Sequence, residues 1–180
     1  MGKATNDLRK EHEVILHALD LLDQALQSNT KDDQLKLQFG NELVNFLKTF
    51  ADKCHHGKEE NHLFTALVDK GFPSDSGPIG VMLQEHKQGR EYIALMKKSL
   101  DSNDLPGFSA NAALYRDLLR NHIAKENNIL FMLADKALED DIQDTLYKKF
   151  MDHEETILGH GVHEELHSSL QKWEAEFKEK

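Results

Sequence analysis

Two stretches of the chain carry the same metal-binding pattern. One reads His55-His56-Gly57-Lys58-Glu59-Glu60-Asn61-His62-Leu63-Phe64, the other His122-Ile123-Ala124-Lys125-Glu126-Asn127-Asn128-Ile129-Leu130-Phe131, with His, Lys, Glu, Asn, Leu and Phe in register. On an α-helix, residues four apart lie about one turn above each other, so each His-x-x-x-Glu presents an imidazole and a carboxylate from one face. A lone histidine precedes each stretch, in Lys10-Glu11-His12-Glu13 and in Gln84-Glu85-His86-Lys87. One His-x-x-x-Glu means little among 11 histidines and 32 acidic residues, but a repeat that keeps the apolar register and the preceding histidine means far more.

The candidate metal ligands are therefore His12, His55, Glu59, His86, His122 and Glu126. Imidazole suits iron, zinc, copper and nickel, and carboxylates can bridge two cations and balance their charge. The set divides into two histidines per ion with Glu59 and Glu126 bridging, which leaves coordination positions open. A mixed, unsaturated nitrogen and oxygen set favours redox-active iron over a closed structural zinc site, with manganese or zinc as alternatives.

Helices must position these residues, and the punctuation of the chain allows it. Only three prolines occur, and they sit at two boundaries. Asn6 is placed to cap a first helix to about Ser28, along which Leu8, Ile15, Leu19, Leu22 and Leu26 recur at helical spacing. A second runs from about Asp32 to Lys70, where Gly71-Phe72-Pro73 stops it. A third covers about Ile79 to Leu100, and a fourth, with Pro106 in its first turn, reaches about Leu138.

Four helices with short connections predict an all-α, up-down four-helix bundle over residues 1–138. Residues 139–180 are expected to be a C-terminal helical extension of the same domain: a fifth helix to about Ile157, a break at Gly159-His160-Gly161, and a sixth. That last helix carries the apolar stripe Val162, Leu166, Leu170, Trp173 and Phe177.

Composition narrows the function. The chain has 180 residues, enough for one well-buried core, and a formal net charge of −10. That field repels phosphates, so neither nucleic acid nor an anionic membrane is the expected partner, and cation handling suits it better. Cys54 is the one cysteine, no apolar run approaches a membrane span, and the N-terminus does not resemble a secretory signal, which together predict a cytoplasmic protein.

Several neighbours of the ligands have two readings. His17 is the weaker candidate for the first ligand, being exposed or supporting. Glu60 and His56 turn about a quarter circle away from the ligand pair, where Glu60 either supports an imidazole or is solvated. Cys54 is a small buried residue or a redox group, and Tyr115 a core residue or a hydrogen-bond donor near the centre. Arg90, one turn after His86, either gates a small pocket beside Gly89 or extends to solvent. His163 and His167 cap or face solvent, or form a lid.

The ordered set His12, His55-x-x-x-Glu59, His86, His122-x-x-x-Glu126 resembles the hemerythrin-like, or HHE cation-binding, domain family over roughly residues 6 to 135. The resemblance implies a four-helix bundle around a non-haem di-iron centre with an oxo or hydroxo bridge. The oxygen-carrying hemerythrins have a second histidine where this chain has Arg90. Their fourth-helix carboxylate is an aspartate one residue further along, and Glu126 replaces it here. The six-ligand pattern is more similar to the di-iron proteins of iron-sulfur-cluster repair and to the hemerythrin-like domain of an iron-sensing ubiquitin ligase subunit.

The expected partner is a small diatomic or peroxide-like ligand. Two other functions compete. A ferritin-like di-metal oxidase or storage protein would use Glu59-x-x-His62 and Glu164-x-x-His167, and a helical adaptor would hold a purely structural metal.

Overall fold

The computed structural model describes residues 1–28, 32–159 and 162–177, the last stretch without the side chains of 162–167. Among these residues all regular structure is helical. Helix α1 (Lys3–Gln27) is followed by α2 (residues 33–69), α3 (Gly77–Asp101), α4 (residues 105–137), α5 (Asp140–Leu158) and α6 (Val162–Phe177). The first four form an up-down bundle, and α5 and α6 pack on it, chiefly against α1 and α2. No helix among the described residues is long and apolar enough to cross a membrane.

Local chemistry sets most helix ends. Asp32 caps α2 by accepting from the Leu35 N–H at 3.0 Å, and Asp104 caps α4 through the Gly107 N–H at 2.9 Å. After α2, Gly71 takes a φ of 94°, a conformation that favours glycine, and its N–H donates to the Val68 carbonyl. Asn6 does not cap α1, contrary to expectation, because the helix starts earlier, with Gly2 at the cap. Side chains distant in the chain satisfy its first turn instead. Asp135 of α4 accepts from the Gly2 N–H and the Thr5 hydroxyl, and Gln143 of α5 accepts from the Ala4 N–H.

The two longest helices are not α-helical throughout, as the sequence led us to expect. Helix α2 widens to π-type hydrogen bonding over Leu47–His56 and Glu59–Leu63, and α4 does so over Glu126–Leu130. These wide turns coincide with both metal-binding stretches, and π-turns within α-helices are frequent at functional sites.

The core is layered. One apolar cluster gathers Ile15, Leu19 and Leu22 of α1, Phe39 to Phe50 of α2, Met96 of α3, Tyr115 of α4 and Trp173 of α6. A second, at the other end, gathers Leu8, Leu63, Phe64, Met82, Phe131 and Phe150. Along each bundle helix the metal-binding residues fall between the two clusters, so the polar layer lies between apolar walls.

The C-terminal helices complete those walls. Trp173 has no exposed surface, meets Phe39 and Phe46 edge-on, and donates its indole N–H to Glu42 at 2.8 Å. On α5, His153 approaches so closely that a Cβ at Gly57 would lie 2.6 Å from its Nε2. Replacing Trp173 by alanine is expected to cost about 3–5 kcal/mol of stability, read as a shift of the chemical-denaturation midpoint.

Candidate metal centre

His12 of α1, His55 of α2, His86 of α3 and His122 of α4 converge in the polar layer, each 1 % exposed. Their Nε2 atoms meet in pairs, His12 with His55 at 2.9 Å and His86 with His122 at 3.1 Å. Glu126 lies 3.1 Å from His12 and 3.2 Å from His122, while Glu59 lies 3.6 Å from His55 and 3.4 Å from His86. Each carboxylate thus spans both imidazole pairs. All six candidate ligands come together in one place.

Each of these imidazoles is held from outside at Nδ1. His55 donates to Glu11 at 2.8 Å, His122 to Glu85 at 2.9 Å, His86 to Glu60 at 2.7 Å and His12 to the Asn127 side-chain oxygen at 3.0 Å. A cation holds every acceptor in turn. Lys58 donates to Glu11 at 2.6 Å, Lys125 donates to Glu85, Arg90 donates to Glu60 at 2.8 Å, and Arg9 donates to the Asn127 carbonyl at 2.8 Å. Such supports fix the tautomer and the orientation of a metal-binding histidine.

Glu11 and Glu85, Lys58 and Lys125, and Glu60 and Asn127 are equivalent positions of the repeat. Sequence reasoning missed most of these supports, although the signal was there: a glutamate before each lone histidine and a lysine three residues after each paired one.

Carboxylate and amide oxygens only accept, so Nδ1 carries the hydrogen of each neutral imidazole and the Nε2 lone pair points inward. Two lone pairs then confront each other within each imidazole pair. Neither Glu59 nor Glu126, both fully buried, has an aligned hydrogen-bond donor on either oxygen. Buried acceptors without donors are costly, and a cation between them removes the cost.

Without metal, protons serve. Burial opposes the charged form of His122, but Glu126 and Glu85 hold its pKa up to about 10. Burial and then Glu126 push Glu59 up to about 7. Burial and His12 keep His55 well below the usual range, and therefore neutral. Two groups of ligand atoms could each hold a metal ion: His12, His55, Glu59 and Glu126, and His56, Glu59, His86 and His122.

His56 is thus the residue that sequence reasoning turned away from the centre. It is buried, and its ring stacks on that of His86 at 3.9 Å. Glu60 supports His86, and Arg90 reaches both Glu60 and Asp52, to which its Nε donates at 2.7 Å. A cavity of about 10 Å³ lies beside them, lined by His56, His86, Gly89, Arg90, Tyr115 and His122. It has room for about one water-sized molecule. The Tyr115 hydroxyl is buried there with no hydrogen-bond partner.

The remaining candidates lie elsewhere. Half-exposed His17 pairs with Glu174 at 3.0 Å. His62 packs beside His153 and Phe150, away from the ligand cluster. Cys54 is buried, and burial followed by Glu11 pushes its thiol up to about 12, far from a reactive thiolate. Cys54 also converges with Glu11 and Glu154, but the Lys58 ammonium already binds both carboxylates, at 2.6 and 2.8 Å. The side chains of His163 and His167 lie outside the described residues.

Compared with known proteins, residues 3–134 match the family model of the hemerythrin HHE cation binding domain. No curated protein and no solved structure matches the chain.

Two measurements probe the centre. At pH 7 metal must displace the proton held by His122 and part of that held by Glu59, so loading is expected to release protons, and apparent affinity to fall as pH drops below about 10 and more steeply below about 7. Calorimetry in buffers of different ionisation enthalpy reads both. Glu85→Gln, at a partly exposed position, should weaken metal binding by about 10–100-fold in chelator competition while far-UV circular dichroism stays unchanged.

Proposed function

Because the chain belongs to the hemerythrin HHE cation-binding domain family, we propose that it is a non-haem di-iron protein that binds or reacts with a small ligand such as dioxygen, nitric oxide or peroxide. The observation that carries this is the facing of buried Nε2 atoms across two imidazole pairs, at 2.9 and 3.1 Å, with two unsatisfied carboxylates reaching both. His12 and His55 would hold one ion and His86 and His122 the other, with Glu59 and Glu126 shared. Bound iron supplies the redox change and the open coordination positions that the side chains lack.

The protein's own residues do the rest. The apolar clusters on either side of the layer keep bulk water out. Glu11, Glu60, Glu85 and Asn127 orient the imidazoles, and the two shared carboxylates offset cationic charge. The cavity beside His86 admits about one small molecule, which suits a diatomic or peroxide-like ligand rather than an organic substrate.

The ferritin-like alternative has no comparable support, since His62 packs away from Glu59's partners. A net charge of −10 weighs against a nucleic-acid or anionic membrane partner. The single, unpaired, buried cysteine suits a cytoplasmic protein.

Metal analysis with an optical spectrum tests the proposal. Protein loaded anaerobically with ferrous iron should hold about two ions per chain, as in di-iron bundles, and should gain near-ultraviolet and visible absorption in air that reduction removes. His55→Ala and Glu126→Ala should lose most of the iron. Wild-type protein without stoichiometric iron, or variants that keep all of it, would end the di-iron reading.

A further inference from the structure

His56 stands out in the centre as a buried imidazole whose polar contacts are incomplete. It is 4 % exposed, and neither ring nitrogen has a hydrogen-bond partner. An imidazole buried in this way is costly unless something binds it. One face lies on His86 at 3.9 Å and 17°, and the ring meets His122 edge-on at 5.5 Å. A ligand nitrogen of His56 converges with those of His86 and His122 and with a Glu59 oxygen.

Two features account for its position. His56 closes the π-helical stretch Leu47–His56, and wider turns reduce the angle between successive side chains, so that both His55 and His56 can face the layer. Its Nδ1 also leans toward Asp52 at 3.5 Å, too long for a hydrogen bond but on the outer side, as the acceptors of the other four imidazoles are. Asp52 in turn accepts from Arg90, giving His56 the same arrangement of cation and acceptor.

The other half of the repeat offers no equivalent. Ile123 occupies the matching position and belongs to the apolar core. Arg90, one turn after His86, is tied outward to Asp52 and Glu60 and leaves this side of the centre to His56.

Building on the di-iron reading, we propose that His56 is a fifth imidazole ligand, serving the ion held by His86 and His122, so that the two metal positions are chemically inequivalent. One ion then has three imidazoles and the other two, although the repeat that builds the bundle is nearly symmetric.

Mössbauer and X-ray absorption spectra of protein loaded with ⁵⁷Fe test this, with His56→Ile, which copies the other half of the repeat, and His56→Gln as a second variant should the first not fold. In the wild type two quadrupole doublets of equal area are expected. In the variant one doublet should shift or disappear while the other persists, and the average number of imidazoles per iron should fall. A single doublet in the wild type, or a folded variant with unchanged spectra and iron content, overturns the assignment of His56 and leaves the di-iron reading intact. Wild-type protein that takes up no iron overturns both.

Discussion

Everything in the centre depends on inward-facing Nε2 lone pairs held at short range inside a dry layer. Within each imidazole pair the two nitrogens face only each other, and the oxygens of Glu59 and Glu126 have no aligned donor at all. The protein holds this arrangement from outside, where each Nδ1 meets an oxygen acceptor and each acceptor meets a lysine or arginine. Polarity alternates from the inside outward: a centre suited to a cation, then imidazole, acceptor and lysine or arginine. The apolar clusters above and below raise the cost of leaving any member unpaired, since a low local dielectric strengthens such contacts and penalises their loss.

The repeat makes the two halves nearly equivalent, and single substitutions then set them apart. Glu60 supports His86 with a full charge, whereas Asn127 supports His12 with a neutral amide. Lys58 is entirely buried, whereas the side chain of Lys125 is 37 % exposed. His56 faces the centre where Ile123 joins the apolar core. A nearly symmetric scaffold can thus present two unequal environments without any change of fold.

How much of this was legible depends on the range of the interactions. The six ligands and the helices that carry them follow from local spacing, which the chain repeats. The supports were legible in principle, because Glu11, Glu85, Lys58 and Lys125 recur in register, but their importance appears only once helices far apart in sequence touch. Asn6 misled because α1 is closed by Asp135 and Gln143, more than 100 residues away, rather than by its own neighbours. His56 misled because a rotation of about 100° per residue assumes an α-helix, and α2 is π-helical there.

Lys58 has a consequence for how the molecule opens. Its ammonium has no exposed surface and joins Glu11 on α1 to Glu154 on α5 while Glu11 holds His55. If α5 lifted away by itself, the ammonium would lose Glu154 and be left with its α1 partners, Glu11 and Asp7. Lifting of α5 therefore loosens, through Lys58, the carboxylate that orients His55. The passage from α4 to α5 near residue 138 is thus a boundary in the chain that Lys58 ties across, with Glu11 on one side and Glu154 on the other.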